Sequence, residues 1–319
     1  MRCNSVLELR QSLLEIESLR DDSEMRRRWS KLSLSHSLVD ELAQPFKNLD
    51  PFSVEYRDRV LATYQQLVGA EYEFNCEGMR GIDIAKNVQR PFPFVTQNPM
   101  LIGEFMMAYG HIIKIIGEYV KTGRPRVLEI GSGRGALSYF LAKAGFELTC
   151  VDVNPEFVQL CETITASVGN KARCYQSTME DFTAEQEFDV VLFFESFHHS
   201  LSHQDLIPKY MKMLSDSGVL MFAAEPIVKP FSKSLPYDWG LRLGGEALRG
   251  IVIHGWMELG FSRSYFKKLL KNNDLCLIER NLPRTGWGDI KLGVNYNNLG
   301  RLQKIMHRVS GGIHQIRYR

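Results

Sequence analysis

Val127-Leu128-Glu129-Ile130-Gly131-Ser132-Gly133-Arg134-Gly135-Ala136 joins an apolar strand carrying one acid to a glycine-rich turn and the start of a helix. A strand that ends in closely spaced glycines lets ligand atoms approach the backbone, and the helix that follows offers unpaired N–H groups at its N-terminus. The stretch therefore predicts a nucleotide-cofactor loop in an α/β fold. One reading is a dinucleotide site, because Gly131, Gly133 and Ala136 fit G-x-G-x-x-G/A and Asp152 follows where a ribose-binding acid belongs.

Glu129, two residues before the first glycine, gives the spacing Glu-x-Gly-x-Gly-x-Gly, which resembles motif I of the class I S-adenosylmethionine-dependent methyltransferases. The resemblance implies that the loop backbone faces the methionine end of the cofactor and that the acid orients its ammonium. A dinucleotide pyrophosphate would gain nothing from a carboxylate there. Leu148-Thr149-Cys150-Val151-Asp152-Val153 resembles the second strand of that family, whose terminal acid binds the two ribose hydroxyls, and Asn154 and Pro155 suit the start of the next helix. Phe188 to His199 resembles the fourth strand with the short loop beyond it, and Gly218 to Pro226 the fifth. Leu275 to Glu279 and Lys291 to Tyr296 resemble the closing strands.

The fold implied is a Rossmann-like α/β domain: a seven-stranded mixed sheet, its last strand antiparallel, with helices on both faces. The cofactor implied is S-adenosyl-L-methionine, held by Glu129, Gly131, Ser132, Gly133, Asp152, Val153, Thr178, Met179 and Glu195. Thr178 marks a departure, since many relatives carry an aspartate near the adenine amino group. A hydroxyl or a backbone carbonyl could replace it.

A chain of 319 residues with 44% hydrophobic and 24% charged content can bury a large core and exceeds one typical domain. Three parts are expected: a helical cap over 1–98, the methyltransferase domain over 99–296, and a basic tail over 297–319. The formal net charge of +2 makes no general case for nucleic acid. Cys3, Cys76, Cys150, Cys161, Cys174 and Cys276 lack any C-x-x-C spacing, which suggests reduced thiols in a cytoplasmic protein and neither a disulfide framework nor a zinc site. No apolar leader follows Met1. Gly103 to Val120 contains Glu104, His111, Lys114 and Glu118 and is expected as an amphipathic helix, not a membrane span. Its stripe of Leu101, Phe105, Ala108, Ile112, Ile115 and Tyr119 should face the first strand.

In the cap, Val6 to Leu19 reads as a helix. A second is expected with Asp50-Pro51 at its start, a stripe of Val54, Val60, Leu61, Tyr64 and Leu67, and Gly69 as its stop. Arg26-Arg27-Arg28 reads as a solvated helix face, and Arg90-Pro91-Phe92-Pro93-Phe94 as an extended linker. The insert over 226–260, rich in glycine and aromatics, starts from the carboxyl end of a strand and is expected to wall the substrate site. Trp239 and Trp256 serve equally well as core. The segment from Trp239 to Gly260 is also similar to methyltransferases associated with bacterial glycan assembly. Ser262 to Lys271 follows as an amphipathic helix.

Methyl transfer from a sulfonium is mainly a matter of positioning, and a general base matters when the acceptor is a hydroxyl. His198 and His199 are the candidate bases, with His199 favoured, and Glu225 could orient a hydroxyl, an amine or a histidine, or cap nearby backbone N–H groups. Glu195, His198, His199 and Glu225 could also ligate a divalent ion. Such groups collect at active sites without metal, and none is expected.

Arg284, Lys291, Arg301, Lys304, Arg308, Arg317 and Arg319 against the single acid Asp289 give the C-terminal segment a positive field. It could draw in an anionic substrate or touch a membrane surface, or be a solvated helix over Leu302, Ile305 and Met306. The function expected is O-methylation of a small-molecule or glycan acceptor. A non-catalytic sensor or scaffold is the alternative, as is N- or C-methylation extending to protein or nucleic acid, though aromatics are not interleaved as on a strand-binding platform. Homo-oligomerisation stays open.

Overall fold

The computed structural model describes residues 2–73, 81–120, 123–228, 232, 234–282, 287–299 and 313–315. In chain order these begin with β1 (Arg2–Cys3), α1 (Val6–Glu17), α2 (Asp22–Ser30), β2 (Ser33–Leu34), α3 (His36–Ala43) and α4 (Val54–Val68). Next come α5 (Ile84–Gln89), α6 (Pro99–Tyr119), β3 (Arg126–Ile130), α7 (Ala136–Lys143), β4 (Glu147–Asp152), α8 (Pro155–Ala166), β5 (Arg173–Gln176) and β6 (Phe188–Phe194). Then follow α9 (His203–Met211), β7 (Leu214–Ala223), β8 (Ile227–Val228), β9 (Trp239–Leu241), α10 (Gly245–His254) and β10 (Leu259–Ser262). The last are α11 (Arg263–Lys271), β11 (Leu275–Arg280), β12 (Ile290–Asn295) and β13 (Ile313–Gln315).

Two compact units share the chain. The first gathers Met1–Glu77, His198–Leu201 and Pro226–Lys268, and the second Gly78–Phe197, Ser202–Glu225 and Leu269–Arg319. The division after Glu77 differs from the boundary expected at 98, and the insert joins the N-terminal helices in one unit.

The second unit is built on one mixed sheet in the order β13-β11-β12-β7-β6-β3-β4-β5. The expected seven strands are present, with β12 antiparallel to both β7 and β11. The three-residue β13 adds an eighth, parallel to β11. Parallel strands covered on both faces read as unbroken apolar runs, and Val190, Val191, Leu192 and Phe193 of β6 are all fully buried. After β3 the chain lays down β4 and β5 on one side and β6 on the other, so its direction reverses between β3 and β6. Ligands of open α/β sheets sit at the carboxyl ends of such a pair.

Asn98 caps α6 by accepting from the N–H groups of Met100 and Leu101, and Pro99 occupies the first turn. Phe105, Ala108, Ile112 and Ile115 are buried as expected, joined by Tyr109, His111 and Ile116. By length and composition α6 could cross a bilayer, yet Phe105, Tyr109, Ile112, Ile115 and Ile116 lie in one core cluster with Val127, Val219 and Met221. The linker before it is less extended than its prolines suggest, since Phe94–Thr96 forms a 3-10 turn.

In the first unit α1 matches expectation, but α4 starts later. Its N-cap is Ser53, whose Oγ accepts from Tyr56 N, while Asp50 turns its carboxylate to Phe52 N. Val60, Tyr64 and Leu67 are buried together with Tyr56 and Thr63, whereas Val54 lies at the surface. Gly69 ends the helix at φ 83°. Trp239 is core here, 1% exposed. Its carbonyl accepts from Tyr56 Oη at 3.0 Å and its indole donates to Pro51 O at 2.8 Å. The insert carries the small sheet β8-β10-β9, and Ser262, expected as helix, ends β10. Glu24 pairs with Arg27 and Arg28, so two members of the arginine run lie in surface ion pairs on α2.

Candidate cofactor and catalytic site

In the second unit, Gly131, Gly133 and Gly135 all take positive φ, 72°, 51° and 67°, which turns the chain sharply from β3 into α7. Gly131 N and Ser132 N both donate to Val151 O, at 2.8 and 3.2 Å, tying the loop to β4. A Cβ on Gly131 would lie 2.4 Å from Ser196 Cβ, so glycine is required by space as well as by φ. Ser196 Oγ in turn donates to Ile130 O at 2.6 Å, linking the ends of β3 and β6. A Cβ on Gly133 would meet nothing within 4 Å, which leaves that face of the loop open to a ligand.

Asp152 ends β4, 8% exposed, and its Oδ2 accepts from Gly133 N at 2.8 Å while Oδ1 accepts from Asn154 N at 2.9 Å. Glu129 is buried at the end of β3. Among the described residues its hydrogen-bond partners are the Ser138 hydroxyl at 2.6 Å and the Cys150 thiol at 3.9 Å, with no cation beside it. Burial above all, and then the neighbouring Cys161, push its carboxyl up to about 8. A buried acid lacking a cation suits an ammonium ligand, and so the residues present fit the methionine end of S-adenosylmethionine.

Around the rim the structure is more specific than the sequence. Thr178 Oγ1 donates to Asp181 Oδ2 at 2.8 Å and accepts from Asp181 N, so the hydroxyl holds its own turn. The Met179 carbonyl accepts from Tyr210 Oη at 2.9 Å, and the Val153 carbonyl from Gln176 Nε2 at 3.4 Å. Glu195 adopts φ 50°, its N–H bonded to Ala223 O at 3.1 Å. Glu225, weighed for substrate orientation, caps backbone through Oε1, which accepts from Ser196 N at 2.8 Å and Phe197 N at 2.9 Å. Two buried N–H groups at a bend need such an acceptor.

His198 and His199 sit in the 3-10 turn Phe197–His199, and His198–Leu201 belongs to the first unit. Their rings lie 4.2 Å apart. His198 is buried, with Nε2 3.6 Å from Glu258 Oε2, and His199 is half-buried near the Trp256 ring. Glu258 also pairs with Arg242. Burial raises the Glu258 carboxyl, but hydrogen bonding from His198 and the charges of His198, His199 and Arg242 outweigh it and hold the group at about 2.

Sequence reading placed Arg242 and Glu258 in the insert without a role of their own, because nothing local marks a partner so far along the chain. The donor atoms of His198, His199 and Glu258 lie within 4.8 Å of one another. A metal there would compete with the Arg242 guanidinium for the same Oε2, which favours an ion-pair network. Three cysteines also converge, Cys150, Cys161 and Cys174, their sulfurs within 4.8 Å. Of the basic C-terminal positions named above, Lys291 alone lies in the described residues, and it is buried, donating to Asn281. Arg284, Arg301, Lys304, Arg308, Arg317, Arg319 and the expected helix over Leu302, Ile305 and Met306 lie outside them, as does Cys76.

Residues 127–218 match a family model described as a methyltransferase domain. These residues, with the strand order and the glycine loop around them, form a methyltransferase domain of the S-adenosylmethionine-dependent class. The chain is 26% identical over 112 residues to a ubiquinone biosynthesis O-methyltransferase of Rickettsia felis, covering 35% of this chain and 46% of the relative. It is 27% identical over 188 residues to the Vibrio vulnificus protein of the same description, covering 58% and 73%. The chain thus spans about half the length of the first of these relatives. Magnesium protoporphyrin IX methyltransferase from Synechocystis, with bound S-adenosylhomocysteine, superposes with a TM-score of 0.46 at 14% identity over 67% of this chain and 93% of that one.

Proposed function

We propose that the protein is an S-adenosylmethionine-dependent O-methyltransferase acting on a hydroxyl of a small-molecule acceptor. The observation that carries this reading is the pair of acids at the ends of β3 and β4. Glu129, buried without a cation, suits the ammonium, and Asp152, already aimed at the loop, suits the ribose hydroxyls. The O-methyltransferase relatives support oxygen as the acceptor atom, and a sugar hydroxyl falls in the same chemical class.

Bound S-adenosylmethionine supplies an activated methyl on a sulfonium, so in-line alignment of the acceptor is the larger part of catalysis. His199 would serve as the general base that accepts the acceptor's hydroxyl proton, and Glu129 and Asp152 would hold the methyl donor. His198 acts as a positioning residue, its ring oriented by Glu258 at 3.6 Å. Glu225 fixes the bend on which both histidines follow in the chain, through Ser196 N and Phe197 N.

Incubation with methyl-labelled S-adenosylmethionine and a panel of phenol, catechol and sugar acceptors tests the reading by product mass. Label on oxygen is the expected result. Transfer to amines with no hydroxyl turned over would overturn oxygen as the acceptor, and failure of the folded protein to bind S-adenosylhomocysteine would overturn the whole reading.

A further inference from the structure

Cys150 and Cys174 are direct partners in the parallel β4–β5 ladder, which places both side chains on one face of the sheet. Cys161 projects from α8, which packs against those two strands. The three Sγ atoms lie within 4.8 Å of one another. With metal–sulfur bonds of about 2.3 Å, three sulfurs around a zinc-class ion stand about 3.8–4.0 Å apart, so closure of the trio needs only side-chain adjustment.

We propose that Cys150, Cys161 and Cys174 form a binding site for a thiophilic divalent cation of the zinc class. The trio is a polar pocket in an otherwise apolar layer. Ser138 Oγ lies 3.6 Å from Cys150 Sγ, and Glu129 Oε2 lies 3.9 Å from it. Cys150 and Cys161 are buried, while Cys174 is half-buried on the edge strand β5, which gives the ion a way in and water access to a fourth position. An odd number of converging sulfurs leaves one thiol over in any disulfide, whereas coordination uses all three. Binding releases the thiol protons to solvent, and the three thiolates with a dication carry a net charge of minus one.

Titration of the reduced full-length protein with cadmium alone tests the site by ultraviolet thiolate-to-metal charge-transfer absorption. One equivalent per chain is expected, with proton release in weak buffer. Cys174→Ser, at the sheet edge, should weaken cadmium binding by at least about tenfold, with Cys161→Ala as a second variant and melting curves to confirm folding. X-ray absorption of zinc-loaded wild type should show a shell of three sulfurs at about 2.3 Å. Absence of the absorption band in folded wild type, a band undiminished in both variants, or a zinc shell of nitrogen and oxygen would each overturn the proposal.

Discussion

Asp152 Oδ2 accepts the backbone N–H of Gly133 at 2.8 Å, so the carboxylate that ends β4 also shapes the glycine loop. Asp152→Ala should weaken S-adenosylhomocysteine binding by roughly 10–100-fold, the equivalent of about 1–3 kcal/mol for an interaction of a charged group. Asp152→Asn keeps an acceptor oxygen and should lose less. Isothermal calorimetry on the three proteins decides, and equal affinities would remove Asp152 from the site.

Gly131→Ala brings two costs together, a Cβ 2.4 Å from Ser196 Cβ and a left-handed backbone at φ 72°. Each is worth on the order of 1–3 kcal/mol. The variant should melt at lower temperature and bind S-adenosylhomocysteine poorly. Adding Ser196→Gly relieves the contact but not the backbone strain, and should recover part of the loss. Full recovery would show that φ is not limiting.

Glu129 is held up at about 8, mainly by burial, against an ordinary value of 4.5. A group whose folded value is raised contributes stability that is complete below 4.5 and fades as pH rises through 8. The ligand-free protein should therefore lose stability across that window, and Glu129→Gln should flatten the loss. An ammonium ligand favours the carboxylate, so cofactor binding near pH 7 should release a proton. Calorimetry in buffers of different ionisation enthalpy measures it, and zero release would show that the cofactor's ammonium does not meet Glu129.

The Glu258 carboxylate, at about 2 against 4.5, works in the opposite direction. Its stabilisation is present above 4.5 and is lost as pH falls toward 2, so Glu258→Gln should blunt acid unfolding. His199→Ala should cut kcat by about 10²–10⁴-fold with S-adenosylmethionine affinity nearly unchanged. If His198→Ala is the slower variant, the two roles are exchanged.

The glycine loop, the apolar strands and the two acids were legible because each is written in neighbouring residues: β3 and β6 as unbroken hydrophobic runs, Glu129 and Asp152 by their offset from Gly131. Helix starts were less so. Asp50-Pro51 competes with Ser53 for the same cap, and the choice depends on which side chain reaches the N–H of Tyr56. Long-range partners leave no local mark. Glu258 looked like one charge in a mixed insert until the fold set it against His198, and the cysteines lacked metal spacing because β4, α8 and β5 bring them together in space. Trp239 could have lined a substrate, but its indole and carbonyl are spent on Pro51 and Tyr56.

The bond from Tyr56 to the Trp239 carbonyl spans 183 positions of sequence. Chains emerge from the ribosome N-terminus first, at about 5–20 residues per second, and domains otherwise tend to fold in that order. Here the opening helices cannot complete their unit until the segment through Lys268 has been made. For roughly ten seconds or more at that rate, Leu9, Leu13, Tyr56 and Tyr64 wait without their full core. Residues 1–77 thus complete their unit only after the segment 226–268 has been made, and during that wait they are natural clients for chaperones.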